Sequence, residues 1–207
     1  MNACGEEFQI DLRLRPEGKK GAIVWNRDRT WAYLRDRAET WERMAWTKAR
    51  FVAGSEAVRS QIDPLIENFV YGGPLGSTEV EQMKHIRGRM ERELGRESRG
   101  VWNLKVGRGG LVDLEFLAQF LQIRQMIRIP NTAVVLRKAG MPAELVDDYH
   151  FLRSVESMLR LWSPHASSRI EQKDIASLEA MLGIDDFSDS YRETTTRVRA
   201  VFETYQG

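Results

Sequence analysis

The chain has 207 residues, 29% charged and 42% hydrophobic, and its 31 basic side chains nearly balance 30 acidic ones to leave a net charge of +1. Such a length suits one good core or two small ones, and such a balance gives no push toward nucleic acid or an anionic membrane. A lone cysteine, Cys4, excludes an internal disulfide and fits a reducing cytoplasm, and with only His85, His150 and His165 scattered beside it a structural zinc site is not expected.

The opening "MNACGEEFQ" is short and acidic, unlike a secretory leader, and no apolar run approaches the roughly 20 residues of a membrane helix. In "FQIDLRLRPEGKKG", Phe8, Ile10, Leu12 and Leu14 alternate with Gln9, Asp11, Arg13 and Arg15. That period predicts a strand with one buried and one polar face. Pro16, Gly18 and Gly21 then punctuate a basic loop, and "AIVW" reads as a short second strand or an extended lead-in.

From there the pattern is helical. Asn26 or Asp28 caps a helix that begins near Arg27, and its apolar spacing runs on through Trp41 and Met44 as far as Val52. Gly54 stops it and Ser55 caps the next, with Val58, Ile62, Leu65, Ile66 and Phe69 on one side. "YGGPLGS" is a loop. Ser77-Thr78-Glu79 opens a polar helix to about Arg96, its narrow stripe of Val80, Met83, Ile86, Met90 and Leu94 flanked by solvated Arg and Glu.

Asn103 to Val106 reads as extended, and Gly107, Gly109 and Gly110 form a joint before a helix from Leu111 to about Ile127. That helix is apolar nearly all round, so it belongs at the centre of a core. Further helices are predicted from about Asn131 to Ala139, from Pro142 to about Trp162, from Asp174 to Leu182 and from Asp189 to Tyr205. One strand cannot satisfy its own backbone groups, so the first strand is expected to pair outside this sequence or in a small edge hairpin.

Three places invite chemistry. Asp11, Arg13 and Arg15 project from one side of the first strand in steps of roughly 7 Å. A carboxylate suits magnesium and guanidinium groups suit phosphate oxygens, the needs of nucleotidyl transfer, although one acid cannot hold two metal ions. A solvated sheet face is the plainer reading. In "TWERMAWTKAR", Glu42 and Lys48 lie roughly 120° apart on a helix, and Trp41 and Trp46 suit a core more than a base-stacking platform. In "GRGGLVDLEF", glycine amides at a helix start can receive an anion. Asp113 falls in the first turn, where the helix dipole alone accounts for a carboxylate. Glu115 lies between Leu114 and Phe116 and is expected to meet an arginine, a lysine or a metal. "RGRMERELGRESRG" alternates its signs, a poor nucleic-acid footprint.

"FQIDLRLRPEGKKGAIV", "TWERMAWTKARFVAG" and "NLKVGRGGLVDLEFLAQFLQ", in that order, resemble glutamine synthetase adenylyltransferase. The resemblance covers residues 8 to 127 strongly and the rest as helical pattern. It implies a mainly α chain: a helical bundle over 26–207 behind a short β remnant, 1–25, of a polymerase-beta-type nucleotidyltransferase sheet. It implies that Asp11 is catalytic and a magnesium ligand, and that Arg13, Arg15, Lys48 and Arg50 sit by the nucleotide. Glu42, Lys105, Gly109, Gly110, Asp113 and Glu115 match family motifs and would line the site.

The implied substrate is ATP, the implied cofactor Mg2+, and the implied partners glutamine synthetase and a PII-type signal protein, with no nucleic acid or membrane. The family's glycine-serine element with paired aspartates is not among the 207 residues. The chain is therefore expected to be inactive alone, or to be a helical docking module for glutamine synthetase or a PII-type regulator. The closing "TRVRAVFETYQG" favours the adenylylating half over the de-adenylylating one, which the motifs themselves do not separate.

Overall fold

The computed structural model describes residues 15–162 and 168–206. The predicted strand, with Asp11 and Arg13, lies outside the described residues but for Arg15. What is described is mainly α, as expected, and falls into two compact units, Met1–Gly72 and Gly73–Gly207.

In the first unit a short 3-10 turn, Gly18–Lys20, occupies the predicted loop. Residues 22–25 form no strand, and Ile23 and Val24 are exposed. Helix α1, Arg27–Asp36, starts where predicted: the Asn26 side chain accepts from the Arg29 amide at 2.8 Å. The helical spacing that runs on to Val52 is not one helix. Helix α1 stops at Asp36, α2 spans Thr40–Ala45, and Trp46–Lys48 is a 3-10 turn. The restart has a local cause, because the Glu42 carboxylate reaches back to accept from the Glu39 amide at 2.9 Å. Helix α3, Glu56–Tyr71, is capped by Ser55 as predicted and carries Pro64 on its exposed side. Leu34, Met44, Leu65, Val70 and Tyr71 form the core, while Trp46 packs edge-on to Phe69 at 5.6 Å. Each such leucine contributes on the order of 1.5–3 kcal/mol.

In the second unit α4 is Ser77–Met90, followed by a wide π-type turn, Glu91–Gly95, and by Arg96 in a left-handed conformation. Strand β1, Val101–Asn103, pairs antiparallel with β2, Arg169–Glu171, in the register Val101 to Glu171 and Asn103 to Arg169. Strand β2 carries no legible period. The extended reading of residues 103–106 holds for Asn103 alone, since its side chain accepts from the Lys105 and Val106 amides and turns the chain.

Helix α5, Leu111–Arg124, is the central rod, with Leu111, Leu114, Leu117 and Leu121 at 1% exposure or less. Around it pack α6 (Thr132–Lys138), α7 (Ala143–Trp162) and α9 (Phe187–Gln206), with α8 (Ile175–Leu182) against α7 and α9. The α7 and α9 helices are also tied by a two-pronged pair, Arg197 Nε and Nη2 to Asp148 at 2.8 and 2.7 Å.

Candidate functional site

The turn that leads into α5 is built by backbone bonds that fold residues 103–110 onto the helix start. The Gly107 amide donates to Asn103 O at 2.9 Å, Leu111 N to Leu104 O at 3.0 Å and Val112 N to Lys105 O at 2.9 Å. Gly109 has φ +72°, and a Cβ there would lie 1.8 Å from the Thr195 carbonyl oxygen of α9. A Cβ on Gly110 would lie 2.6 Å from Leu104 O. Glycine is required by conformation at the first position and by close approach at both.

Asp113 closes this turn from inside. Its side chain has no solvent exposure, and it accepts from Arg87 Nε through Oδ1. Its Oδ2 accepts from the Gly109 amide at 2.8 Å and from Arg199 Nη1 at 3.2 Å. Arg87, 1% exposed, donates Nη2 to Gly107 O at 2.8 Å, and its Nη1 lies 3.3 Å from Glu91 Oε2. Arg199 Nη1 also reaches Glu91 at 3.0 Å, and its Nε reaches Glu203 at 2.8 Å. Burial pulls the Arg199 guanidinium down, but the hydrogen bond to Glu203 and the charges of Asp113 and Glu91 raise it overall. The amide that sequence reasoning offered to an external anion is thus engaged by the chain's own carboxylate, and two arginines from α4 and α9 neutralise it.

For Asp113 the helix dipole is not the whole account. Asp113 is the buried acid that needs cations, whereas Glu115 is only half-buried. Arg87, expected among the solvated flank of its helix, is buried. A signal for both was present. Asp113 falls four before Leu117 on the central helix, and Arg87 falls four after Met83 and three before Met90 on the apolar stripe. Glu91 and Arg199 had no such mark.

In the first unit Glu42 is also internal, 4% exposed. Its Oε1 accepts from the Tyr33 hydroxyl at 2.8 Å and its Oε2 from the Glu39 amide. Burial first, and the bond to Glu42 second, raise the Tyr33 hydroxyl pKa. Lys48 and Arg50 are exposed, as is Lys105 in the second unit. Arg15 folds back on its own loop, donating Nε and Nη2 to Gly21 O at 3.2 and 3.0 Å. The structure therefore brings Gly109, Gly110 and Asp113 into one motif, and puts Glu42 in a separate cap. Among the described residues no group of three His, Cys, Asp or Glu side chains is placed to hold a metal ion.

Comparison with known proteins follows the same order along the chain. Residues 3–64 match the family model described as glutamate-ammonia ligase adenylyltransferase, and residues 81–205 the one described as GlnD PII-uridylyltransferase. The chain is 31% identical to the bifunctional glutamine synthetase adenylyltransferase/adenylyl-removing enzyme of Thioalkalivibrio sulfidiphilus, over 99% of this chain and 22% of that protein. It is 30% identical to the protein of the same name from Neisseria meningitidis serogroup A, over 91% and 22%. It is 29% identical to that of Pseudomonas putida, over 88% and 20%. The chain spans about a fifth of the length of these curated relatives.

Proposed function

We infer function from one premise: the chain belongs to the glutamate-ammonia ligase adenylyltransferase family, with a bundle of the GlnD PII-uridylyltransferase type behind it. It serves, we propose, as part of an enzyme that transfers AMP from ATP to a tyrosine of glutamine synthetase, or removes it by phosphorolysis. The observation that carries this is the succession of the two family matches along one chain, with the glycine turn and Asp113 inside the second.

In the forward direction the tyrosine oxygen attacks the α-phosphorus of ATP and pyrophosphate leaves. In the reverse direction phosphate attacks the adenylyl phosphorus and the tyrosine oxygen leaves. Asp11 is proposed to hold Mg2+ with further acids, and the metal would neutralise phosphate charge when bound. Arg13, Arg15, Lys48 and Arg50 are assigned to the nucleotide phosphates. Lys105 and Glu115 are assigned to the rim of the glycine turn, and Gly109, Gly110 and Asp113 to its shape. Glu42 supports the Lys48–Arg50 segment by fixing the start of α2. A PII-type protein is the proposed regulator. The proposed setting is the cytoplasm, which suits Cys4; no helix among the described residues is long and apolar enough to cross a membrane.

The second reading, a docking module for glutamine synthetase or a PII-type protein, draws on the mainly helical described residues and on Asp113 and Glu42 being engaged internally. The test is Asp11→Asn in the longer enzyme that carries this segment. Loss of AMP turnover with glutamine synthetase binding retained supports the catalytic reading. Unchanged turnover overturns it.

A further inference from the structure

A cleft of about 370 Å³ opens along α9 in the second unit, lined in part by Trp102, Arg108, Tyr191, Arg192, Arg199 and Glu203. At its centre one atom is shared by two arginines. Glu203 Oε1 accepts from Arg108 Nη2 at 3.0 Å and from Arg199 Nε at 2.8 Å. A carboxylate oxygen between two guanidinium groups stands where a ligand's oxyanion would stand.

The two arginines differ in mobility. Arg199 is 16% exposed and clamped on its other edge by Asp113 and Glu91, so it presents a fixed donor. Arg108 and Glu203 are 59% and 48% exposed, so Glu203 is free to swing out and Arg108 to close in. An exposed pair of this kind is weakly held in water. Arg192 adds a third guanidinium, 6.0 Å from the Trp102 ring. Trp102 and the buried Tyr191 give the cleft an apolar wall, their rings 5.6 Å apart. The other acid of the lining, Glu97, accepts from the Asn103 amide at 2.8 Å and keeps its charge, so it opposes the three guanidinium groups only in part.

We propose that this cleft binds a small phosphate-bearing anion, which displaces Glu203 from Arg108 and Arg199. Three guanidinium groups on a concave wall suit a group with several oxygens and more than one charge. The assignment goes beyond AMP transfer: Arg108 stands in the glycine turn but has no role assigned in the reaction, and Trp102, Arg192, Arg199 and Glu203 lie outside the motifs given to it. It also gives a bound anion a route to the glycine turn, since the Arg199 that would hold it also donates to Asp113.

The test is calorimetric titration of the 207-residue chain with inorganic pyrophosphate, without metal, at low and moderate salt, with amide NMR shifts read over residues 191–203. Saturable binding that shifts these amides is expected. Arg108→Gln should weaken it roughly tenfold, as loss of a charged hydrogen bond does. Glu203→Gln should tighten it about threefold, because an internal competitor is gone. Circular dichroism confirms that both exposed variants fold. Absence of saturable binding in both wild type and Glu203→Gln overturns the proposal. So does an affinity that Glu203→Gln lowers or leaves unchanged, or citrate binding that pyrophosphate does not match. None of these readouts depends on AMP turnover, so failure here leaves the proposed reaction standing.

Discussion

Asp113 on α5 and Arg87 on α4 stand 26 positions apart in the chain and meet with 0% and 1% of their side-chain surface left to solvent. Two charges withdrawn from water are costly unless they are paired and their remaining donors and acceptors are used. Here Gly107, Gly109 and Arg199 supply hydrogen-bond partners, and Arg87 Nη1, which makes no hydrogen bond, has the Glu91 carboxylate 3.3 Å away, so one carboxylate holds the helix start, the glycine turn and two neighbouring helices together.

Removing one partner should expose that cost. Asp113→Ala is expected to lower the unfolding free energy of the second unit by about 3–5 kcal/mol, and Arg87→Ala by a similar amount. The double variant should cost at least about 1 kcal/mol less than the sum of the two. Urea midpoints for the set check this, and strict additivity would show that the two side chains act independently.

Gly109 separates conformation from close approach. Gly140 and Gly183 also have positive φ, +75° and +68°, but a Cβ at either meets nothing within 4 Å. Alanine there should cost about 1 kcal/mol from backbone conformation alone. Gly109→Ala adds a clash with the Thr195 carbonyl that no side-chain rotation relieves, so it should cost at least about 2 kcal/mol more. Thermal unfolding of the three variants gives the ranking, and equal losses would contradict it.

Tyr191 predicts an alkaline limit. Burial, reinforced by the Glu97 charge, pushes its hydroxyl well above the ordinary value of 10.0. The raised group favours the fold fully below pH 10, where it is neutral in both states. Above that the unfolded chain ionises first and stability is lost as pH rises toward the folded value, by at most about 1.4 kcal/mol per pH unit. Tyr191→Phe should flatten the slope of stability against pH above 10, as read by denaturant titration. An unchanged slope would mean that other groups set it.

Lys48 and Arg50 are exposed, whereas Glu42 is locked between Tyr33 and the Glu39 amide. Lys48→Ala and Arg50→Ala should leave stability within about 0.5 kcal/mol of wild type, so any loss of AMP transfer in the longer enzyme reads as function. Glu42→Ala strands the Glu39 amide and the Tyr33 hydroxyl and should cost about 1–3 kcal/mol. Paired melting curves and transfer assays separate the two groups.

The sequence announces some of this fold because some causes are local. Asn26, Ser55 and Asn131 cap helices with their own side chains, and an all-round apolar run such as Leu111–Ile123 has only the core to go to. The break after Asp36 is less legible, since no glycine or proline marks it and a glutamate pair restarts the helix. Strand β2 is three residues long and exists because β1 lies beside it, a tertiary cause with no period. The candidate site divides the same way. The glycines stand out, but which acid is buried follows from helical phase, and the identity of Arg199 as its partner, 86 positions away, is a property of packing alone.

The claim on which the functional account rests is that these 207 residues serve AMP transfer as part of a larger catalytic centre. The most direct measurement is incorporation of labelled AMP into glutamine synthetase by the purified chain with ATP and Mg2+. The account predicts none from the chain alone, while the longer enzyme carrying it labels a tyrosine and loses that activity with Asp11→Asn. Magnesium-dependent labelling by the isolated chain would contradict it.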